Sequence, residues 1–168
     1  MEMSISIVKG HGSMSHNNRD FITPNVDLDR VKDNIIYKCE PLEQAYKNCF
    51  SQAIEEYNLK QKRADRRIDG ITGYMAQIRN SKNGEKLYYE TVIQIGNKFD
   101  CSVGSTKAEL AKKVLNDFMQ DFSERNPNLY VFNAVLHMDE ATPHLHIDYI
   151  PVAHGYQKGL QVRNSLDK

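Results

Sequence analysis

The ten residues HMDEATPHLH, His137 to His146, hold three of the six histidines of a 168-residue chain, together with two carboxylates. Three neutral imidazoles around one centre, with positions left open, make a divalent-metal site that keeps room for a substrate. His144 and His146 are two residues apart, so on a strand both side chains leave the same face. On a helix that spacing would turn them about 200° apart, and they could not share an ion. His137 closes the preceding apolar stretch, and the connection DEATP turns the chain back, so the hairpin brings the three rings to one point. Asp148 continues the same face and is a candidate hydrogen-bond partner for one imidazole. The plainer alternative is a set of histidines hydrogen-bonded at a sheet end. A structural zinc site fits poorly, since such sites are usually closed by cysteine and none of Cys39, Cys49 and Cys101 is near in sequence.

The rest of the chain must position this hairpin. Leu129 to Met138 and His144 to Val152 read as two apolar strands and are expected in the middle of the sheet. Ser4 to Val8 alternates and reads as a first strand. Tyr88 to Gly96 reads as another, with Asn83-Gly84 before it as a hairpin turn. From Pro41, a first-turn proline, Tyr46, Cys49, Phe50, Ala53, Ile54 and Tyr57 recur at helical spacing. A second helix is expected after Thr106, where TKAE fits a capping box and Ala111, Val114, Leu115, Phe118 and Phe122 form the apolar stripe before Pro127. Ile35 and Ile36 anchor the acidic, then mixed stretch from Asn25 to Tyr37. This order predicts an α+β fold, a central antiparallel sheet flanked by helices, with the helices on one face. The closing GLQVRNSLDK reads as the start of a further helix. Residues 1–168 are expected to form one domain, the N-terminal part of a longer protein.

Composition narrows the classes. A content of 40% hydrophobic and 26% charged residues is that of a soluble globular chain. No apolar run approaches the roughly 20 residues of a membrane span, and the start lacks the pattern of a signal peptide. An odd, scattered set of three cysteines suits reduced thiols in the cytoplasm. With 22 basic and 22 acidic residues the net charge is zero, which argues against a surface that is basic throughout. One basic cluster stands out: Lys60, Lys62, Arg63, Arg66 and Arg67. It is either a nucleic-acid contact or a solvated face.

A metal with open positions needs a nucleophile or a bound phosphate, and the polar stretch Gly10 to Asp20 offers HNNRD, followed by NVDLDR from Asn25 to Arg30. HNNR, then NxDLDR, then HxDExxPHxH resembles, in order and over nearly the whole chain, the Mob/Pre (MobV-type) plasmid mobilization relaxases. These belong to the HUH endonucleases, named for a histidine pair around an apolar residue, here His144 and His146. The resemblance implies an HUH-type relaxase domain that nicks and rejoins one DNA strand at a plasmid or mobile-element transfer origin, site-specifically and through a covalent protein–DNA intermediate. It implies His16 as the attacking residue and His137, His144 and His146 as ligands of a divalent ion, Mn2+ or Mg2+. Glu140 would orient or activate the nucleophile, and Arg19 would contact the scissile phosphate region. Arg63, Arg66 and Arg67 map loosely onto residues that grip the origin hairpin. The implied partners are single-stranded or hairpin origin DNA and accessory mobilization proteins, with no membrane contact.

Other residues compete for these roles. His11 lies in the same loop but lacks the NNR context. Tyr37 or Tyr46 would restore tyrosine chemistry, although Tyr46 falls on a helix's apolar stripe. His154 reads as a loop residue, and Asp27 and Asp29 as capping or salt-bridging groups. The competing functions are a rolling-circle replication initiator, a non-catalytic metal-stabilised DNA-binding module, and a metallohydrolase for small phosphate esters.

Overall fold

The computed structural model describes residues 3–166. Its sheet is built from β1 (Ile5–Lys9), β2 (Ile35–Cys39), β3 (Tyr89–Ile95), β4 (Leu129–His137) and β5 (His144–Ala153), in the order β1-β3-β5-β4-β2. A two-residue β6 (Arg163–Asn164) pairs with the end of β5. All pairings are antiparallel, and the two apolar strands expected in the middle are there, with β5 central and β4 beside it. Their register sets His137 opposite His144, Val135 opposite His146 and Asn133 opposite Asp148. A bulge between Val131 and Asn133 changes which β4 residues face each side.

The helices are α1 (Met14–Asn17), α2 (Leu42–Leu59), α3 (Gly70–Arg79), α4 (Thr106–Gln120) and α5 (Phe122–Arg125). They lie on both faces of the sheet, which corrects the one-face expectation. Along β5, Leu145 and Ile147 face a core completed by Ala108, Ala111, Leu115 and Phe122 of α4 and α5. Ile150 and Val152 face a second core with Tyr46, Phe50 and Ile54 of α2 and Tyr74, Met75 and Ile78 of α3. Period-two alternation puts His144, His146 and Asp148 on this second face, beyond the part that α2 and α3 cover. Half of that face is thus packed apolar core and the other half carries the histidines.

Several local expectations change. Helix α3 escapes the apolar pattern because GITGYMAQIR carries two glycines, which disfavour helix, and buries only Tyr74, Met75 and Ile78. Asn83-Gly84 is a turn, with Gly84 at φ 79°, but it joins α3 to β3 rather than two strands. The cap of α4 is Ser105, whose side chain accepts from the Ala108 N–H at 3.1 Å, one residue before the expected Thr106. Val114 is exposed rather than part of the buried stripe, and Ile36, on edge strand β2, is exposed too. The expected C-terminal helix is replaced by bends and β6, and its last positions, 167 and 168, lie outside the described residues. No helix among the described residues is long and apolar enough to cross a membrane.

Candidate functional site

The hairpin of β4 and β5 brings the three predicted imidazoles together. The ring centroids of His137, His144 and His146 are 4.9–5.1 Å apart. All three residues are buried, His137 completely. Each ring has one nitrogen committed to a fixed acceptor, which settles its tautomer. His144 Nδ1 donates to the Thr142 carbonyl at 2.8 Å, and His146 Nδ1 to Glu90 Oε1 at 2.7 Å. His137 Nε2 donates to the Asn17 carbonyl at 2.8 Å. The remaining nitrogens are lone-pair acceptors, and His146 Nε2 is buried without a hydrogen-bond partner. Burial, with help from the neighbouring imidazoles and Arg19, pushes the His137 pKa down to about 3, and burial lowers that of His144 as well. His137 and His144 are therefore neutral at physiological pH, the form that ligates metal.

The loop carrying HNNR folds over this cluster. His16 lies with its ring centroid 5.9 Å from that of His137 and 6.0 Å from that of His146. Its Nε2 is 3.5 Å from Glu140 Oε1. Two triads have donor atoms within 4.8 Å of one another: His16, His137 and His146, and His137, Glu140 and His144. They share His137, so His16 and Glu140 border the same space as the three predicted ligands. A donor set of imidazole nitrogens with one carboxylate, one nitrogen of it buried and orphaned, suits a divalent transition ion.

Arg19 is the hub of the acidic side. Its Nε and Nη2 make a two-pronged contact with Asp139 at 2.8 and 2.6 Å, and Nη2 also reaches Glu140 Oε1 and His137 Nδ1, each at 2.8 Å. Its backbone sits at φ 58°, a left-handed conformation rare for a side-chain-bearing residue, and guanidinium contacts to Asp139, Glu140, His137 and the His16 carbonyl hold it there. The Arg19 guanidinium and Asn34 keep the buried Asp139 carboxyl charged, against the opposing effect of burial. The second motif joins in: Asn25 Nδ2 donates to Glu140 Oε2 at 2.9 Å, and the Asp27 N–H to the Asp139 carbonyl at 2.7 Å. All three motifs of the sequence therefore meet at one place.

Three residues of this network escaped the sequence reading. Glu90, and not Asp148, is the carboxylate that holds an imidazole. It also accepts from Asn17 Nδ2 at 2.7 Å and the Gly12 N–H at 2.8 Å. Burial opposes its ionisation, yet these donors hold it down to about 2. Asp148, its register partner across β3 and β5, accepts only from the amides of Asn17 and Asn133, and burial beside the charged Glu90 pushes it up to about 6. Asn17 bridges both carboxylates, and Asp139 anchors Arg19. The available signal was a charged residue at an inward position of each buried strand, and for Asn17 its place beside His16.

The rival residues lie elsewhere. Tyr37 packs into the core on the α4 face, donates to Asn116 Oδ1 at 3.0 Å, and burial pushes its pKa up to about 12. Tyr46 is fully buried, and its hydroxyl donates to the Leu87 carbonyl. Asp27 caps the 3-10 turn Leu28–Asp33 and pairs with Arg30 at 3.1 Å. His11 and His154 are exposed. Arg63, Arg66 and Arg67 are exposed on the α2–α3 connection, Arg63 paired with Asp65 and Arg67 bonded to the Gln61 carbonyl.

The class is set by its architecture: an antiparallel α+β sheet with a buried imidazole cluster on one face, and a further histidine held over it by an acid–arginine network. Comparison narrows this. The model of the Mob_Pre family, described as plasmid recombination enzyme, matches residues 37–161, and the chain belongs to that family. The matched stretch contains Glu90, His137, Glu140, His144 and His146, while His16 and Arg19 precede it. Among solved structures, the chain is similar to the MobM relaxase domain (MOBV; Mob_Pre) bound to plasmid pMV158 oriT DNA of 22 nucleotides, Mn-bound, at pH 5.5. The identity is 20%, with 95% of this chain and 75% of that one covered and a TM-score of 0.47. The pH 4.6 form is 18% identical with the same coverage and TM-score. A form with DNA carrying a 3′ thiophosphate, at pH 6.8, is also 18% identical, with a TM-score of 0.46. The curated proteins contain no match.

Proposed function

We propose that residues 1–168 form one relaxase domain that nicks and rejoins a single DNA strand at a plasmid or mobile-element transfer origin, with His16 as nucleophile. The observation that carries this reading is His146 Nε2, a buried imidazole nitrogen without a partner, in a cluster that His16 faces from the other side. Mob_Pre membership and the Mn-bound, oriT-bound state of the similar MobM domain agree with it. His137, His144 and His146 would hold the divalent ion, His137 through the Nδ1 that Arg19 contacts at 2.8 Å, so Arg19 would have to move aside. When bound, the ion would polarise a phosphate and offset charge in the transition state. Imidazole donors suit Mn2+ better than Mg2+, which prefers oxygen ligands.

The chain's own residues supply the rest. Glu90 and Thr142 fix the His146 and His144 tautomers, so that both Nε2 lone pairs face inward. Glu140 Oε1 and Arg19 Nη1 both lie 3.5 Å from His16 Nε2; in the Nε2–H tautomer Glu140 would accept that proton, leaving Nδ1 to attack phosphorus. A nitrogen–phosphorus bond forms, the bond to the 3′ oxygen breaks, and that oxygen takes a proton from water. The products are a phosphoramidate at the 5′ end and a free 3′ hydroxyl. Arg19 orients Glu140, and once drawn from the carboxylates its guanidinium can meet a phosphate.

The test is incubation with candidate origin strands and Mn2+, followed by peptide mapping of the covalent product. A DNA-linked peptide containing His16, labile to mild acid, is expected. An acid-stable adduct on Tyr37 would overturn the assignment, and turnover of small phosphate esters without any adduct would overturn the reaction.

A further inference from the structure

Behind the histidine cluster lies a cleft of about 340 Å³ that shares Glu90 with it. Three segments bring cations to its rim: Lys9 from the end of β1, Arg79 from the end of α3, and Lys86 from the turn before β3, with His11 two residues after Lys9. Gly10 and Gly12 let the chain pass close along its inner wall. A Cβ at Gly10 would overlap the Glu90 carboxylate, and the Gly12 carbonyl accepts the Tyr88 hydroxyl. Of the two carboxylates lining the cleft, Glu90 is already satisfied by His146, Asn17 and the Gly12 N–H, which leaves Glu85.

Elsewhere this chain neutralises many cations: Arg30, Lys38, Lys47, Arg63 and Arg125 each have a carboxylate within 3.3 Å. Among the described residues no carboxylate pairs with Lys9, Arg79 or Lys86. Unpaired cations converging on a concave site act together on a polyanion. Tyr89 adds a half-buried ring, with Lys9 Nζ 5.6 Å from its centroid. Basic groups lining a groove with aromatic rings in it is how single-stranded nucleic acid is held without regard to sequence. The volume suits about one nucleotide, at the small end of ligand sites, and is too narrow for a duplex.

We propose that this cleft binds the single strand next to the phosphate presented to His16, with Arg79 and Lys86 on its backbone phosphates. The inference rests on the relaxase reading and adds the path of the strand, from the imidazole cluster past Glu90 into the cleft.

A fluorescein-labelled oligothymidine titrated with increasing salt in the presence of Mn2+ tests it. Arg79→Ala with Lys86→Ala should weaken binding about tenfold and reduce the salt slope by about 1.4, since each single-strand phosphate contact adds about 0.7. Mn2+ affinity and thermal midpoint should stay as in the parent. Lys86→Glu, one exposed substitution, gives the same readout should the double variant not fold, and Lys107→Ala with Lys112→Ala, on α4 across the sheet, serves as the control. An unchanged slope in both rim variants overturns the inference and leaves the nicking reaction standing. Loss of binding in the rim variants, in a protein that never forms a covalent adduct, overturns the relaxase reading and leaves the cleft. A parent that binds no oligothymidine overturns the inference, while the relaxase reading stands or falls on the covalent adduct.

Discussion

Glu90 decides how His146 presents its lone pair, because the carboxylate takes the Nδ1 proton and leaves Nε2 facing the cluster. Replacing it by glutamine keeps the shape but removes the charge, and partners of this kind are worth 10–100-fold in metal affinity. We expect Glu90→Gln to raise the Mn2+ dissociation constant by about that factor in calorimetry, with the fold intact by circular dichroism. His16→Ala should abolish the covalent adduct while leaving Mn2+ affinity within about twofold, since the three ligands hold the ion without it. An adduct formed at full yield by that variant would move the nucleophile elsewhere.

Acid should act at the same residues. The folded His137 stays neutral down to about 3, whereas the unfolded chain protonates it below about 6.5. Its contribution to stability is therefore intact above 6.5 and lost progressively as the pH falls toward 3, by up to about 1.4 kcal/mol per pH unit. Asp148, pushed up to about 6, gains stability over the same range and opposes this loss. The test therefore uses Asp148→Asn: urea midpoints of that chelator-treated variant should drop between pH 7 and pH 5. A flat profile over that range would mean that the buried imidazole takes a proton in the folded state.

At the scale of elements, α4 closes one core against the sheet and its start depends on Ser105. Ser105→Ala should lower stability by about 1 kcal/mol, the ordinary worth of such a cap, whereas Thr106→Ala should leave the urea midpoint almost unchanged. The reverse ranking would return the cap to the TKAE box. The β4–β5 hairpin matters differently, since its register alone places His137 opposite His144. A one-residue slip would send the histidines to the α4 face, so any insertion in DEATP that shifts pairing should remove Mn2+ binding before it unfolds the sheet.

For the whole molecule, the proposed metal site would make metal binding and folding one equilibrium. The site exists only when β4, β5, β3 and the α1 loop are assembled, so the ion binds the native state and not the unfolded chain. Mn2+ at 100 times its dissociation constant should raise the unfolding free energy by about 2.7 kcal/mol. A melting temperature indifferent to Mn2+ would remove the metal site. The basic α2–α3 connection is the expected DNA contact away from the histidine cluster. If Arg63, Arg66 and Arg67 all contact phosphates, replacing them by alanine should reduce the salt slope by about two on single strands. No change would leave them a solvated face, a role that the Arg63–Asp65 pair already suits.

The sequence alone determined what depends on short-range pattern. Two-residue spacing on an apolar strand put His144 and His146 on one face, and the apolar repeats after Pro41 and Thr106 marked the two long helices. Three separated motifs pointed to one site, and the chain does bring His16, Asn25 and Glu140 into contact around the histidines. Tertiary structure decided which carboxylate serves which ring. Asp148 and Glu90 are register partners on adjacent strands, and only the position of the His146 ring and of Asn17 selects Glu90. It also decided that helices cover both faces, because periodicity says which residues are buried and nothing about the side from which the cover comes. Glu90 lies 56 residues from His146, and the hydrogen bond between them exists only after β3 has paired with β5.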